Sequence, residues 1–208
     1  MTAPAVTTLD GLEDAPDVVT GALALDRFYI GLADEIEQKM PARFSAVRLQ
    51  GLDMVGHVFL RYAVPRAFGD VSEDERQRHG RVLEQYYRFV DGELGRVIDR
   101  LAPGDLLLVI SPFGLEPLSL PKRLLEGALG NTTLSGTHER APDGFVLAYG
   151  SAVRPGRYAR GSVADVTPTL LYFFGLPVGR DMDGFARTDL FAPAFTAERP
   201  IAYIPSYE

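Results

Sequence analysis

Cysteine is absent from this 208-residue chain, which excludes disulfides and thiolate metal sites while leaving the redox compartment undecided. Histidine is scarce, so any imidazole chemistry must draw on His57, His79 and His138. Basic clusters are missing too. The formal charge is −7, a balance that argues against nucleic acid as the main partner. No apolar run approaches the roughly 20 residues of a membrane-spanning helix, so no membrane partner is expected. The opening Met1-Thr-Ala-Pro-Ala-Val-Thr-Thr has neither the basic nor the apolar region of a secretory signal, and a cytoplasmic location is the expectation. The length suits one domain with a sizeable core.

The order of elements follows from apolar spacing and punctuation. Residues 1–18, rich in Pro, Ala and Thr, read as a poorly ordered lead-in, with a single domain over 19–208. Leu25, Phe28, Leu32 and Ile36 recur at helical spacing within 19–40 and predict the buried face of a helix that Pro41 ends. Phe44–Gln50 reads as a strand. Ser72 with Glu75 forms the pattern of a capping box opening a long helix. Val82, Leu83, Tyr86, Val90, Leu94, Val97, Ile98 and Leu101 form its apolar stripe, and Pro103-Gly104 stops it. Leu106–Ile110 is apolar at every position, the pattern of a strand covered on both faces. A short helix is expected near 121–129 within a loop-rich stretch, another over 167–174, and a last short strand at 201–204. Strands alternating with helices predict an α/β layered fold with a largely parallel sheet.

Against that frame stand Asp53 and His57, in Gly51-Leu-Asp-Met-Val-Gly-His57, expected on a loop directly after a strand. An Asp and a His four residues apart can offer a carboxylate oxygen and an imidazole nitrogen to one ion, of the kind zinc or manganese prefers. His138, in Gly136-Thr-His138 before the strand-like Gly144–Tyr149, is the third candidate. The Asp-x-x-x-His spacing alone is a weak signal, and a loop histidine is often no more than a polar surface residue.

Five stretches in order give the candidates a context. They are Gly51–His57; Tyr86-Tyr-Arg-Phe-Val-Asp-Gly-Glu-Leu-Gly95; Asp105-Leu-Leu-Leu-Val-Ile-Ser-Pro-Phe-Gly114; Gly136-Thr-His138 with Asp143-Gly144; and Asp165–Pro177 followed by Arg180-Asp-Met-Asp-Gly184. With them the chain resembles, over about residues 20–208, the type I phosphodiesterase and nucleotide pyrophosphatase branch of the alkaline phosphatase superfamily. That resemblance implies an alkaline-phosphatase-like layered fold, truncated at its N-terminal side, in which two metal ions flank the scissile phosphorus. It makes Asp53, His57 and His138 the ligands of one ion. The other ion would need an N-terminal strand Asp, a Thr or Ser nucleophile, and an Asp-His pair in Ser-Asp-His-Gly. This chain has Ser111-Pro112-Phe113-Gly114 there and no counterpart of the nucleophile strand.

The expectation is therefore a protein binding one divalent ion, zinc first and manganese second, with a phosphate ester as possible ligand and no ordinary hydrolysis by this chain alone. Two alternatives stand beside it. One is a one-metal hydrolase using an activated water. The other is half of a split hydrolase completed by another chain, against which Pro112-Phe113 speaks. The apolar strand at 105–110, short of neighbours, implies a homodimer or a complex with a larger family member. Other residues read as structural: His79 as a solvated surface residue, Asp165 as a cap, Arg180, Asp181 and Asp183 as turn and ion-pair residues, and Tyr86 and Tyr87 as packing. Thr137 is the one nearby hydroxyl to watch.

Overall fold

The computed structural model describes residues 16–208, so most of the expected lead-in at 1–18 lies outside the described residues. The elements in chain order are α1 (Asp17–Lys39), α2 (Gly51–Ala63), α3 (Glu73–His79), α4 (Val82–Arg100), β1 (Leu107–Phe113), β2 (Glu116–Pro117), α5 (Leu120–Ala128), β3 (Gly136–Thr137), β4 (Asp143–Tyr149), α6 (Val166–Phe173), β5 (Val178–Gly179), α7 (Pro193–Glu198) and β6 (Tyr203–Ile204). They group into two compact units, one of the described residues up to 96 with 113–143, the other of 97–112 with 144–208.

The first unit is built on α1, α2 and the first part of α4. Val19, Ala22 and Leu23 of α1 meet Val55 and Phe59 of α2 and Val82, Tyr86 and Phe89 of α4 in one buried cluster. Each set repeats at three- and four-residue steps, so each helix turns one apolar stripe inward. On α1 this is not the stripe expected from the sequence. Phe28, Leu32 and Ile36 are exposed, and the inward stripe runs through Val19, Ala22, Leu23, Asp26 and Ile30. The buried Asp26 interrupts the apolar pattern of that face, which is why the other stripe stands out in the sequence.

Two further corrections fall nearby. Phe44–Gln50 forms no strand among the described residues, and Phe44 and Val47 stay exposed. A strand needs a ladder partner for its backbone groups, and here the chain instead gives the amides of Gln50 and Gly51 to the Asp26 carboxylate, at 2.9 Å and 3.1 Å. Residues 51–57 then form the start of α2 rather than a loop. The Ser72–Glu75 capping box is present, but the helix it opens ends at His79, and Gly80-Arg81 separates α3 from α4. The short helix expected at 121–129 is α5.

In the second unit β1 pairs with β4. Gly144 lies against Ser111 and Pro112, and Gly150 against Asp105 and Leu106, so the two strands run in opposite directions. β2 and β3 are antiparallel, and only the two-residue β5–β6 pair is parallel. The chain is thus mixed α and β, but a largely parallel central sheet is not what the described residues form: each ladder has two strands. Nor is the apolar 106–110 run covered on both faces, since no residue of β1 is fully buried and Ile110 is exposed. The pattern that suggested a central strand records apolar composition, and no other described strand pairs with this ladder. The core of this unit lies instead around α6 and α7, where Phe191 stands 4.9 Å from Phe195 and 5.6 Å from Tyr172.

Candidate metal centre

Asp53 and His57 stand four residues apart on α2, so both side chains leave the same face of the helix. His138 follows β3, which is held in place by its two-residue ladder with β2, Glu116 opposite Thr137 and Pro117 opposite Gly136. Ser135, just before β3, fastens this strand to α2. Its amide donates to the His57 carbonyl at 2.7 Å and its hydroxyl donates to the Val58 carbonyl at 2.7 Å. Close approach is allowed by Gly136, where a Cβ would come within 3.0 Å of the Gly56 carbonyl oxygen.

Three ligand atoms converge as a result. The Nε2 atoms of His57 and His138 are 3.1 Å apart, and Asp53 Oδ1 lies 2.8 Å from His138 Nε2 and 3.6 Å from His57 Nε2. In a tetrahedral zinc site with metal–ligand bonds of 2.0–2.1 Å, neighbouring ligands stand about 3.3 Å apart. The observed separations bracket that spacing.

The opposite ring nitrogens explain why the Nε2 atoms point inward. His57 Nδ1 donates to the Gly136 carbonyl at 2.8 Å, and His138 Nδ1 donates to the Gly114 carbonyl at 2.6 Å. A carbonyl only accepts, so in each neutral ring the proton sits on Nδ1 and Nε2 presents a lone pair. Two such lone pairs facing each other beside a carboxylate repel unless a metal cation or a proton lies among them. Fixing a ligand's far nitrogen on a backbone carbonyl is the usual support of a metal-binding histidine.

The centre is open on one side. Both imidazoles are half-buried while Asp53 is exposed. Phe113 forms one wall, its ring 4.6 Å from that of His138. Phe113 and Gly114, in the segment expected by resemblance to have lost a second ion's ligands, thus contribute a ring and a carbonyl to the surroundings of this candidate centre.

The remaining candidates fall elsewhere. His79 lies outside the candidate ligand group among the described residues, and it is less solvated than expected: its ring packs 5.0 Å from Tyr62 and 5.8 Å from Phe59. Asp165 caps, as expected, accepting from the amides of Ser162 at 2.9 Å and Phe185 at 2.8 Å. Burial pushes its carboxyl up, but those amides and the Arg187 charge hold it below the usual carboxylate range. Arg180 lies over the Tyr203 ring at 5.3 Å. Thr137 sits in β3 opposite Glu116. Asp26, Ser135 and the carbonyls of Gly114 and Gly136 were not foreseen as parts of the centre's frame. Only the glycines, one two residues before His138, carried a signal for close backbone approach.

The chain matches no family model, and no curated protein or solved structure matches it.

Proposed function

We propose that this chain binds one divalent metal ion through Asp53, His57 and His138, and that it is a phosphodiesterase- and nucleotide pyrophosphatase-like protein of alkaline-phosphatase-like fold that has kept one metal position. The observation that carries the metal is the convergence of two carbonyl-fixed imidazoles and a carboxylate within 3.6 Å. Zinc suits two nitrogens and one oxygen, with manganese second. Two-metal phosphoryl transfer needs a pair of ions to hold attacking and leaving oxygens in line. The side chains of Pro112 and Phe113 offer no ligand atom for a second ion. The chain alone then binds a phosphate ester at the open side of its single ion, in a binding or scaffolding role, without ordinary turnover. A cytoplasmic location belongs to the same proposal.

The exposure of Asp53 favours one second reading, a one-metal hydrolase in which the open side is where an activated water would stand. Metal analysis and titration of the purified protein should give one saturable equivalent of zinc, absent from His57→Ala and His138→Ala. Aryl phosphate mono- and diesters should not turn over with zinc or manganese added. Absence of saturable uptake would remove the metal centre. Strong diesterase activity lost in His57→Ala would replace the binding role by the one-metal mechanism.

A further inference from the structure

Helix α1 carries a second apolar stripe that nothing among the described residues of its unit covers. Phe28, Leu32, Ile36 and Met40 follow at steps of four, and Val47 continues the patch along the segment after the helix; all five are 40–66% exposed. At roughly 200 Å² for a whole large side chain, they expose about 500 Å². A single patch of that size is in the upper part of the range for a protein that works as a monomer. A standard interface buries about 800 Å² per partner, a little over half of it apolar, so this patch alone supplies the apolar share.

Its relief and its backbone say what fits. Between Leu32 and Ile36 on one side and Ala46 and Val47 on the other runs a groove of about 340 Å³. Phe28 and Met40, the most exposed of the stripe, stand outside its lining. One surface therefore holds both knobs and a hole, as an interface between identical surfaces requires. The stripe is also a row of side chains at four-residue steps, the ridge that interdigitates when two helices pack. Ser45, Ala46, Val47, Arg48 and Leu49 make no backbone–backbone hydrogen bond among the described residues, and none of them lies in a helix or strand.

We propose that a second copy of this chain docks on this surface, with segments 45–49 of the two copies pairing antiparallel across a two-fold axis and the two α1 stripes covering one another. A second copy brings both the ridge and a segment 45–49 that is unpaired among the described residues, whereas a lone helix or a lipid surface would offer that backbone no strand partner. This contact belongs to the first unit, whereas β1, the edge to which the sequence pointed, lies almost wholly in the second.

Light scattering coupled to size-exclusion chromatography at about 100 µM should give twice the 22.8 kDa chain mass, falling toward one chain mass on dilution. Amide exchange at 45–49 should be slower in the concentrated sample than in the dilute one. Leu32→Glu with Ile36→Glu, both at exposed positions, should give one chain mass with an unchanged circular dichroism spectrum. A single chain mass for the unaltered protein at the high concentration would overturn the proposal. So would a dimer that survives the double substitution, or one in which exchange at 45–49 is the same at both concentrations; these last two readings in the unaltered and altered proteins are independent of each other.

Discussion

Asp26 accepts the Gly51 amide hydrogen with both carboxylate oxygens at 3.1 Å, and so starts α2 two residues ahead of Asp53, the first candidate metal ligand. The carboxylate is fully buried and belongs to another helix, yet it does the work of an N-cap at the positive end of α2. Tyr86 completes its shell with a hydroxyl donated at 2.9 Å. The centre thus depends on a buried charge that touches none of its ligands.

Tyr86→Phe should test that dependence. It removes one donor from a buried carboxylate and should cost about 1–3 kcal/mol, read by denaturant unfolding. The substitution should also change the alkaline limb. Burial, reinforced by the bond to Asp26 and its charge, holds the Tyr86 hydroxyl's pKa far above the usual tyrosine value. The resulting stability is complete below about pH 10, where an unfolded tyrosine titrates, and declines as the pH rises beyond it. In Tyr86→Phe that contribution to the alkaline decline should disappear. An unchanged alkaline profile would mean Tyr86 is no proton-linked part of the core.

Gly51→Ala should be far more damaging than an alanine in a first helical turn ordinarily is. The added Cβ would stand 1.7 Å from the Tyr86 hydroxyl and 2.6 Å from Asp26 Oδ2, so the cap must separate to admit it. Overpacking of this kind costs about 1–3 kcal/mol, and a displaced buried carboxylate adds to it. Zinc titration should show weakened uptake, because α2 carries two of the three proposed ligands. Gly92→Ala in α4, with nothing near its Cβ, is the control and should be neutral or slightly stabilising.

Much of the centre was legible in the sequence, and rather less of its frame. Asp53, His57 and His138 stand out because few residue types bind metals and only three histidines exist to choose from. That Asp53 and His57 lie on a helix was hidden by Gly51 and Gly56, which read as loop residues but are there for close contact with Tyr86 and Leu115. The inward face of α1 was hidden by Asp26, since a charge in an apolar stripe reads as solvated unless its partners, 24 to 60 residues away, are known. The capping box at Ser72 was legible because it is local; the break at Gly80 and the pairing of β1 depend on contacts that periodicity does not encode.

In the second unit, Asp189→Asn should be a small, pH-dependent change. Arg187 holds the carboxylate with two hydrogen bonds of 2.9 Å, and this pairing keeps the Asp189 pKa below the usual aspartate value. The lowered value means the pair's contribution is present above about pH 4 and fades as the pH falls further. Asp189 is partly exposed, so the loss should stay below about 1 kcal/mol. A difference from the unaltered protein that persists undiminished at pH 2 would show that packing, not charge, is responsible.

Metal should stabilise the first unit, because His138 is 81 residues from His57 and an ion joining them ties the strand segment to α2. A ligand that binds only the folded state at 100 times its dissociation constant adds about 2.7 kcal/mol. For a chain of this length that corresponds to a rise in melting temperature of about 5–10 °C. Zinc added to metal-free protein should produce such a rise, and a chelator should reverse it. His138→Ala should remove the rise while leaving the metal-free melting temperature close to that of the parent, since the half-buried ring is replaced without opening the core. Asp53→Asn should retain part of it, because the amide oxygen is a weaker ligand than the carboxylate and the two imidazoles remain. If zinc raised the melting temperature of His138→Ala as much as that of the unaltered chain, the stabilising ion would be bound elsewhere, whatever the total metal content.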